Sequence, residues 1–292
     1  TYSLLSEDDA RAILFSQTTC GHNIIFEKYK NDLDETDINY FIRSDLTTGR
    51  IPQLYGMPKV HKNKLPVPFR PVISAVGSIS AKISTFIDVK LQPLTKYIPS
   101  YCRDSNSFLS DLRQLDALPP TARIFTSDAT SMYTNIDPKE GISTLKKYFD
   151  EFDNECINEN IQTDLLLELT ALVMKTNVFQ FGNTWWQQKI GTAMGTPCAC
   201  IYATLFFAFF ERTLLLVKYK HNLLFYKRQI DDIFVIWLPS NDPQAWSNFK
   251  QDLNLCSNLT WNTEPLSKCV NFLDLTLTIQ DDGIIHSSTY QK

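Results

Sequence analysis

Two adjacent aspartates interrupt the most apolar, strand-forming stretch of the chain. In FYKRQIDDIFVIW, residues 225–237, Asp231 and Asp232 separate two runs that predict a β-hairpin with the acids at its turn. Two charges inside an otherwise apolar hairpin are costly unless a cation compensates them. The pair therefore favours a divalent-metal site. A solvent-exposed turn is the alternative, since Asp is common in turns.

A third acid, Asp128, ends the predicted strand RIFTSD, residues 123–128. Two-metal phosphoryl transfer needs carboxylates that hold cations roughly 3.5–4 Å apart, and a neighbouring strand end could supply the third ligand. Tyr133 follows five residues later, where its ring could pack against the sugar of an incoming nucleotide and reject a 2′-hydroxyl. The alternatives are that Asp128 is only a capping residue after the strand and that Tyr133 is a residue of the core.

Two further segments have features of a nucleotide site. The loop GTAMGTP, residues 191–197, precedes a long apolar helix predicted over 196–220, and its glycines permit close backbone approach. The proline-rich stretch 51–74 predicts two short strands joined by a basic loop. Its cations could grip a triphosphate; they are Lys59, Lys62, Lys64 and Arg70. The alternatives are that residues 191–197 are only an ordinary helix start and that the basic residues of 51–74 lie in a solvated loop.

The helix caps and the apolar patterns in the rest of the sequence predict an α+β fold. The first 45 residues indicate a helical lead-in, Ser80 is predicted to cap a helix, and Asp137-Pro138 and Asp242-Pro243 are typical helix starts. Further predicted elements are a helix over 165–174, a hairpin over 178–190, and a strand over 271–279 pairing with 283–290. This order predicts a split βαβ arrangement, an antiparallel sheet with helices on one face.

Charge and cysteine usage narrow the class of protein. Lys and Arg number 28 against 32 Asp and Glu, a net charge of −4 that is unusual for a nucleic-acid protein. Acids are absent between Asp45 and Asp88, however, and Glu211 is the only one from 171 to 230, so a positive groove is compatible with the sequence. No two of the seven cysteines form a CxxC motif. We interpret them as reduced thiols of an intracellular protein. The apolar run 198–210 is too short to span a bilayer, so we expect no membrane partner.

Taken in order, these segments resemble the reverse transcriptase domain of Penelope-like retroelements, relatives of telomerase reverse transcriptase. The resemblance covers nearly the whole chain from about Gln53. It is carried by LYGMPKVHK, FRPVIS, TSDATSMYTNI, GTAMGTP, KRQIDDIF, LTWNTE and VNFLDLTLTI, and by a terminal TYQK. This sequence departs from such enzymes at Gln229, where an aromatic residue is usual, and at Thr196–Cys200, where a serine-proline-leucine-serine run is commoner.

The resemblance implies a right-hand polymerase fold, with fingers over residues 1–117 and a palm over 118–292. We expect a helical thumb and a GIY-YIG endonuclease to be missing from this sequence. Residue by residue, Asp128 and Asp231 would be the main metal ligands, with Asp232 in support, and Tyr133 the sugar gate. Arg70 and Lys59 would contact the triphosphate, with Lys62 as the second choice for the lysine. Gly195, Thr196 and Pro197 would pack under the nascent base pair. Lys268 would donate a proton to the leaving pyrophosphate.

The implied activity is RNA-directed DNA polymerisation. Two Mg²⁺ ions, with Mn²⁺ as a substitute, would support the addition of dNTPs to a primer 3′-end. The expected partners are an RNA template and a DNA primer or nicked target DNA, and the expected location is intracellular, in the nucleus. Two alternatives stay open: a catalytically silent nucleic-acid-binding or assembly module, and an RNA-copying RNA polymerase.

Overall fold

The structure is a computed structural model that describes residues 2–43, 49–60, 65–192 and 194–291. The chain forms two compact units, Thr1–Leu94 with Tyr133–Phe206, and Thr95–Met132 with Phe207–Lys292. Neither unit follows the single boundary at 117/118 expected from the sequence, because the chain passes between the units three times. The assignment of fingers and palm therefore stays a prediction.

The strands are, in chain order, β1 Tyr2–Leu5, β2 Gln53–Pro58, β3 Phe69–Ser74, β4 Arg123–Ala129, β5 Val178–Phe181, β6 Thr184–Gln188, β7 Leu223–Gln229, β8 Asp232–Trp237, β9 Trp261–Thr263, β10 Cys269–Phe272, β11 Leu275–Ile279 and β12 Ile285–Thr289. The helices are α1 Glu7–Arg11, α2 Thr18–Tyr29, α3 Glu35–Arg43, α4 Ile79–Leu91, α5 Ser105–Leu112, α6 Met132–Asn135, α7 Pro138–Glu151, α8 Asp153–Asn158, α9 Thr163–Lys175, α10 Ala199–Phe210, α11 Leu216–Lys218 and α12 Ala245–Leu255. Helical turns of π type connect α1 to α2 and α10 to α11, and a 3-10 turn, Gln92–Tyr97, follows α4.

The first unit contains a five-stranded sheet in the order β1-β6-β5-β2-β3. Its two hairpins, β2–β3 and β5–β6, confirm the predicted strands within 51–74 and 178–190. The lead-in is not wholly helical, because β1 pairs antiparallel with β6. Helix α4 begins at Ile79 with Ser78 as its cap, so the predicted cap at Ser80 was wrong. Ser78 is extended and its side chain accepts from the Ala81 N–H, whereas Ser80 already lies in the first turn.

The second unit is built on an antiparallel sheet in the order β7-β8-β4-β9. On one face, the ring centroids of Phe125 and Phe249 of α12 are 5.7 Å apart. On the other face, Phe234 lies 5.1 Å from Phe108 of α5 and 5.6 Å from Phe272 of a second sheet, β10-β11-β12. The α+β prediction is confirmed, but helices cover both faces of this sheet rather than one.

The predicted strand over 271–279 is two strands. β10 and β11 form a hairpin in which Phe272 is the register partner of Leu275, and Leu273 in the turn has φ +55°. The buried residues of the segment are Phe272, Leu275, Leu277 and Ile279. The spacing of three between Phe272 and Leu275 breaks the strand period of two, which is the sequence signal of the turn.

The predicted long apolar helix begins at Ala199 rather than residue 196 and is helical as far as Lys218. At its start, the Cys198 N–H donates to Ser84 Oγ at 2.9 Å. By length and composition the segment Ala199–Lys218 could cross a membrane, but a core helix passes the same test, and 56% of its most apolar window is buried inside the protein. Tyr202, Phe206 and Phe207 are at most 1% exposed.

Candidate functional site

Three aspartates meet at one edge of the sheet in the second unit. Asp128 near the end of β4 is the direct register partner of Asp232 at the start of β8, so their side chains share one face of the sheet. The Ala129 N–H donates to the Asp231 carbonyl oxygen at 2.8 Å, which ties the hairpin turn to β4. Asp128 is exposed, whereas Asp231 and Asp232 are half-buried. The backbone thus places the three aspartates that the sequence singled out at neighbouring positions.

The turn that carries Asp231 has an unusual backbone. Gln229 and Asp232 pair across the hairpin, so Ile230 and Asp231 are its two loop residues. Ile230 has φ +55°, a region that favours glycine or asparagine and strains a β-branched residue. Such a conformation costs about 1–3 kcal/mol and persists only where its surroundings hold it in place.

A cleft of about 200 Å³ opens beside Asp128 and Asp232. Asn262 of β9, the register partner of Asp128, lines it, and so does Glu264, which adds another exposed carboxylate. Glu264 is positioned by its N–H, which donates to the Thr126 carbonyl oxygen at 2.9 Å. In the sequence, Glu264 ends LTWNTE, a segment that supports the resemblance but does not by itself assign Glu264 a role.

The donor set fits a hard divalent cation. Carboxylate oxygens are the ligands that Mg²⁺ prefers, and Asp128 of β4, Asp232 of β8 and Asp231 of the turn before β8 supply them. Within the part of the chain that the structure describes, however, no group of three or more His, Cys, Asp or Glu side chains is assembled closely enough to hold a metal ion. Binding would therefore require these carboxylates to turn toward a common point, which their partial exposure allows.

A buried ion pair lies directly behind the turn. Arg228 and Glu211 have side chains that are 1% and 0% exposed, joined by Nε–Oε1 and Nη2–Oε2 contacts of 2.7 and 2.9 Å. Ser100 Oγ donates to Glu211 Oε2 at 2.7 Å. Removing one partner of such a pair costs about 3–5 kcal/mol, because the other charge is left buried and uncompensated. This pair was not predicted, although its signal in the sequence is a lone acid in one apolar element and an arginine in another.

Tyr133 belongs to the first unit, where it is half-buried rather than part of the core. Its hydroxyl lies 3.2 Å from the Cys200 Sγ. Its backbone is fixed from the loop before α10, because the Thr192 N–H donates to the Tyr133 carbonyl oxygen at 2.7 Å. The loop before α10 thus fixes the Tyr133 backbone, and the first turn of α10 contacts the Tyr133 hydroxyl.

Gly191 and Gly195, in the segment before α10, each pack closely against another segment of the first unit. A Cβ on Gly191, which has φ +80°, would lie 2.5 Å from Thr134 Cα. A Cβ on Gly195, with φ +105°, would lie 2.2 Å from the Ile73 carbonyl oxygen of β3. Both glycines are required by this packing, whereas Thr196 and Pro197 are half-buried in the turn before α10. Packing of Gly195, Thr196 and Pro197 under a base pair stays a prediction.

The predicted triphosphate contacts lie on the β2–β3 hairpin. Arg70 is exposed on β3, where Met57 is its register partner. Lys59 is half-buried, and its N–H donates to the Pro68 carbonyl oxygen at 2.8 Å, which extends the hairpin. Lys62, the second choice for the lysine role, lies outside the described residues, as does Lys64.

The structure does not bring Lys268 to the carboxylates. It precedes β10, whose other end, Phe272, lines the cleft, and four residues of strand span about 13 Å. Lys268 Nζ lies 3.7 Å from Asp281 Oδ1 instead. Gln229, the departure from the usual aromatic residue, donates from Nε2 to the Arg103 carbonyl oxygen at 2.9 Å and so ties β7 to the segment before α5.

Comparison with known proteins shows the fold but no family. No family model matches the chain, and no curated protein sequence matches it. Telomerase from Candida albicans, solved in complex with a TWJ fragment of telomeric RNA, is similar to it with a TM-score of 0.57 and 13% identity over 83% of this chain and 47% of that one. Apo telomerase from Candida tropicalis gives a TM-score of 0.58 and 12% identity over 83% and 48%.

A viral polymerase shares the same architecture. The BmCPV RNA-dependent RNA polymerase at elongation state is similar with a TM-score of 0.53 and 8% identity, over 94% of this chain and 25% of that chain. The present chain thus spans about half the length of the telomerases and a quarter of the viral enzyme. It has a polymerase fold, the class that the sequence predicted.

Proposed function

We propose that this chain is the core of a reverse transcriptase of a Penelope-like retroelement, which copies RNA into DNA by adding dNTPs to a primer 3′-end. The observation that carries the proposal is the pairing of Asp128 with Asp232 across β4 and β8, with Asp231 at the adjoining turn, on a polymerase fold. The fingers would lie within residues 1–117 and the palm within 118–292, as the sequence predicts.

The chemistry follows from what these side chains can bind. Asp128, Asp231 and Asp232 would hold two Mg²⁺ ions, with Mn²⁺ as a substitute. When bound, the ions lower the barrier to attack by the primer oxygen and neutralise the triphosphate. The protein supplies position and charge: β4 and β8 fix the carboxylates, and Arg70 and Lys59 on the β2–β3 hairpin would bind the triphosphate.

Tyr133 supports the choice of deoxynucleotides. Its ring is partly exposed and its hydroxyl is held at Cys200, so it has little freedom to swing away from a 2′-hydroxyl. The proposed partners are an RNA template and a DNA primer or nicked target DNA, in the nucleus. The second candidate, RNA copying into RNA, is favoured by the likeness to the BmCPV polymerase.

Primer extension tests the proposal and separates the candidates. The protein is given a primed RNA template with Mg²⁺ and either dNTPs or rNTPs. We expect extension with dNTPs, much less with rNTPs, and none when the cation is chelated. Efficient extension with rNTPs would favour the RNA polymerase.

The third possibility, a silent binding module, predicts a different pattern. Such a module would bind the primed template without extending it under either cation. Folded protein that binds but never extends, with Mg²⁺ or Mn²⁺, would overturn the proposed activity and leave the fold assignment intact.

A further inference from the structure

We propose that Arg228 is a positioning residue for the proposed metal site: it holds the turn that presents Asp231 and Asp232 and touches neither substrate nor metal. The inference rests on the proposed role of these aspartates. The Arg228 guanidinium contacts both Glu211 and the hairpin turn. Nε and Nη2 contact Glu211, and Nη1 donates to the carbonyl oxygen of Ile230 at 2.9 Å.

The bond to Ile230 is the link to the metal site, because Ile230 directly precedes Asp231. Ile230 has φ +55°, so its peptide is held in a conformation that its branched side chain disfavours. A donor on the carbonyl oxygen of that residue stabilises the turn as observed. Without it, the backbone could relax toward φ below zero, and both carboxylates would turn with it.

The guanidinium is itself immobile. Its charge is balanced by Glu211, whose second oxygen also accepts from Ser100 Oγ at 2.7 Å. The backbone of Arg228 is fixed on both sides, since its N–H donates to the Ser100 carbonyl oxygen at 2.6 Å and its carbonyl oxygen accepts from the Cys102 N–H at 2.9 Å. Its guanidinium carbon lies 5.2 Å from the centre of the Phe207 ring. The third nitrogen therefore reaches the turn from a rigid base.

A lysine could not replace this arrangement. Arginine presents its donors in a planar fork, so one side chain serves Glu211 and Ile230 in different directions at once. A lysine has a single nitrogen at the end of a flexible side chain. That nitrogen would pair with the buried carboxylate of Glu211 and leave the Ile230 carbonyl oxygen without this donor. This difference separates a positioning role from simple neutralisation of Glu211.

The test uses variants that keep the interior compensated. Arg228→Gln combined with Glu211→Gln leaves two amides that can pair with each other but supplies no third nitrogen. Arg228→Lys keeps the charge opposite Glu211 and carries the test should the double variant fail to fold. The matched control is Lys90→Gln with Asp37→Asn, which removes a partly buried ion pair of 2.6 Å in the first unit.

The readout is Mn²⁺ binding measured by electron paramagnetic resonance, without primer or nucleotide, alongside thermal melting and primer extension. We expect both Arg228 variants to bind Mn²⁺ about tenfold more weakly or worse, as loss of an outer-shell support typically does. The control pair should leave Mn²⁺ affinity unchanged. Adding Ile230→Gly to the Arg228 variants should restore much of the affinity, because glycine adopts positive φ without steric cost.

Unchanged Mn²⁺ affinity in a folded Arg228 variant would overturn the positioning role. So would a loss of affinity that Ile230→Gly does not reverse, since it would indicate a purely structural defect. Wild-type protein that binds Mn²⁺ but never extends a primer would overturn the proposed polymerase activity alone. Wild-type protein that binds no Mn²⁺ would overturn both.

Discussion

The Tyr133 backbone is bonded to the neighbouring loop and its hydroxyl contacts Cys200, so a change at Tyr133 is a specific test of sugar selection. We predict that Tyr133→Val lets ribonucleotides in, because removal of the ring opens space for a 2′-hydroxyl. Use of dNTPs should suffer less than discrimination does. Single-nucleotide incorporation with matched dNTP and rNTP pairs measures the ratio.

The control for this prediction is Cys200→Ala, which removes the contact to the tyrosine hydroxyl but keeps the ring. It should lower discrimination less than Tyr133→Val. A Tyr133→Val protein that rejects ribonucleotides as well as the wild type does would remove Tyr133 from the sugar site.

Gly195 can be tested against a glycine of similar backbone conformation. Gly195 and Gly182 both have positive φ, but a Cβ on Gly195 would lie 2.2 Å from the Ile73 carbonyl oxygen, whereas a Cβ on Gly182 meets nothing within 4 Å. We predict that Gly182→Ala costs only its backbone strain, about 1–3 kcal/mol, and Gly195→Ala clearly more. Denaturant unfolding of the two variants measures the difference. Equal losses would mean that the loop does not press on β3.

Among the helices of the first unit, His22 in α2 gives a pH dependence. It is 4% exposed, and its ring centroid lies 5.0 Å from that of Phe41 in α3. The pKa of His22 is lowered from its usual 6.5, because the effect of burial outweighs the opposing effect of the contact with Asn23. The unfolded chain therefore binds this proton more readily than the folded chain, so the protein loses stability as the pH falls below about 6.5.

The measurement is the melting temperature at neutral and mildly acidic pH. His22→Phe should flatten the acid side of the profile, because the variant no longer has a group to protonate there. His286→Gln, on the exposed strand β12, is the matched control and should leave the profile unchanged. A His22→Phe protein with the same acid loss as the wild type would place the effect elsewhere.

Elements set by local periodicity could be predicted from the sequence, and elements set by long-range packing could not. The strands that carry Asp128 and Asp232 were predicted because their apolar runs end at the acids. The pairing that sets Asp128 opposite Asp232 could not be predicted, because the register of β4 and β8 depends on contacts between residues far apart in the sequence. The Arg228–Glu211 pair was missed for the same reason, because its two residues lie in different elements.

For the molecule as a whole, the basic segment between α10 and β8 is less available to nucleic acid than its sequence indicates. Lys218 Nζ lies 2.5 Å from Asp252, Lys227 Nζ lies 2.6 Å from Asp111, and Arg228 is buried against Glu211. These cations are paired with acids of the second unit, Lys218 at the surface and Arg228 in the interior. With a net charge of −4, the protein has little long-range attraction for a phosphate backbone.

We therefore predict weak binding to an RNA–DNA hybrid, with a salt dependence set by the β2–β3 hairpin. Lys59→Gln and Arg70→Gln should each flatten the plot of log affinity against log salt concentration by about one unit, the effect of losing one phosphate contact. Lys218→Gln and Lys227→Gln are matched controls and should change the slope much less. Fluorescence anisotropy over a range of salt concentrations measures it. A larger change from the control lysines would contradict this assignment of contacts.

Asp231→Asn tests whether the three aspartates carry nucleotidyl transfer. The amide keeps the shape of the side chain and removes one ligand charge. Asp116→Asn, an exposed acid away from the cleft in the same unit, is the control. In single-turnover primer extension with Mg²⁺, we predict wild-type rates for Asp116→Asn and no detectable extension by folded Asp231→Asn protein. Extension by Asp231→Asn at the wild-type rate would show that Asp231 is not a metal ligand in the reaction.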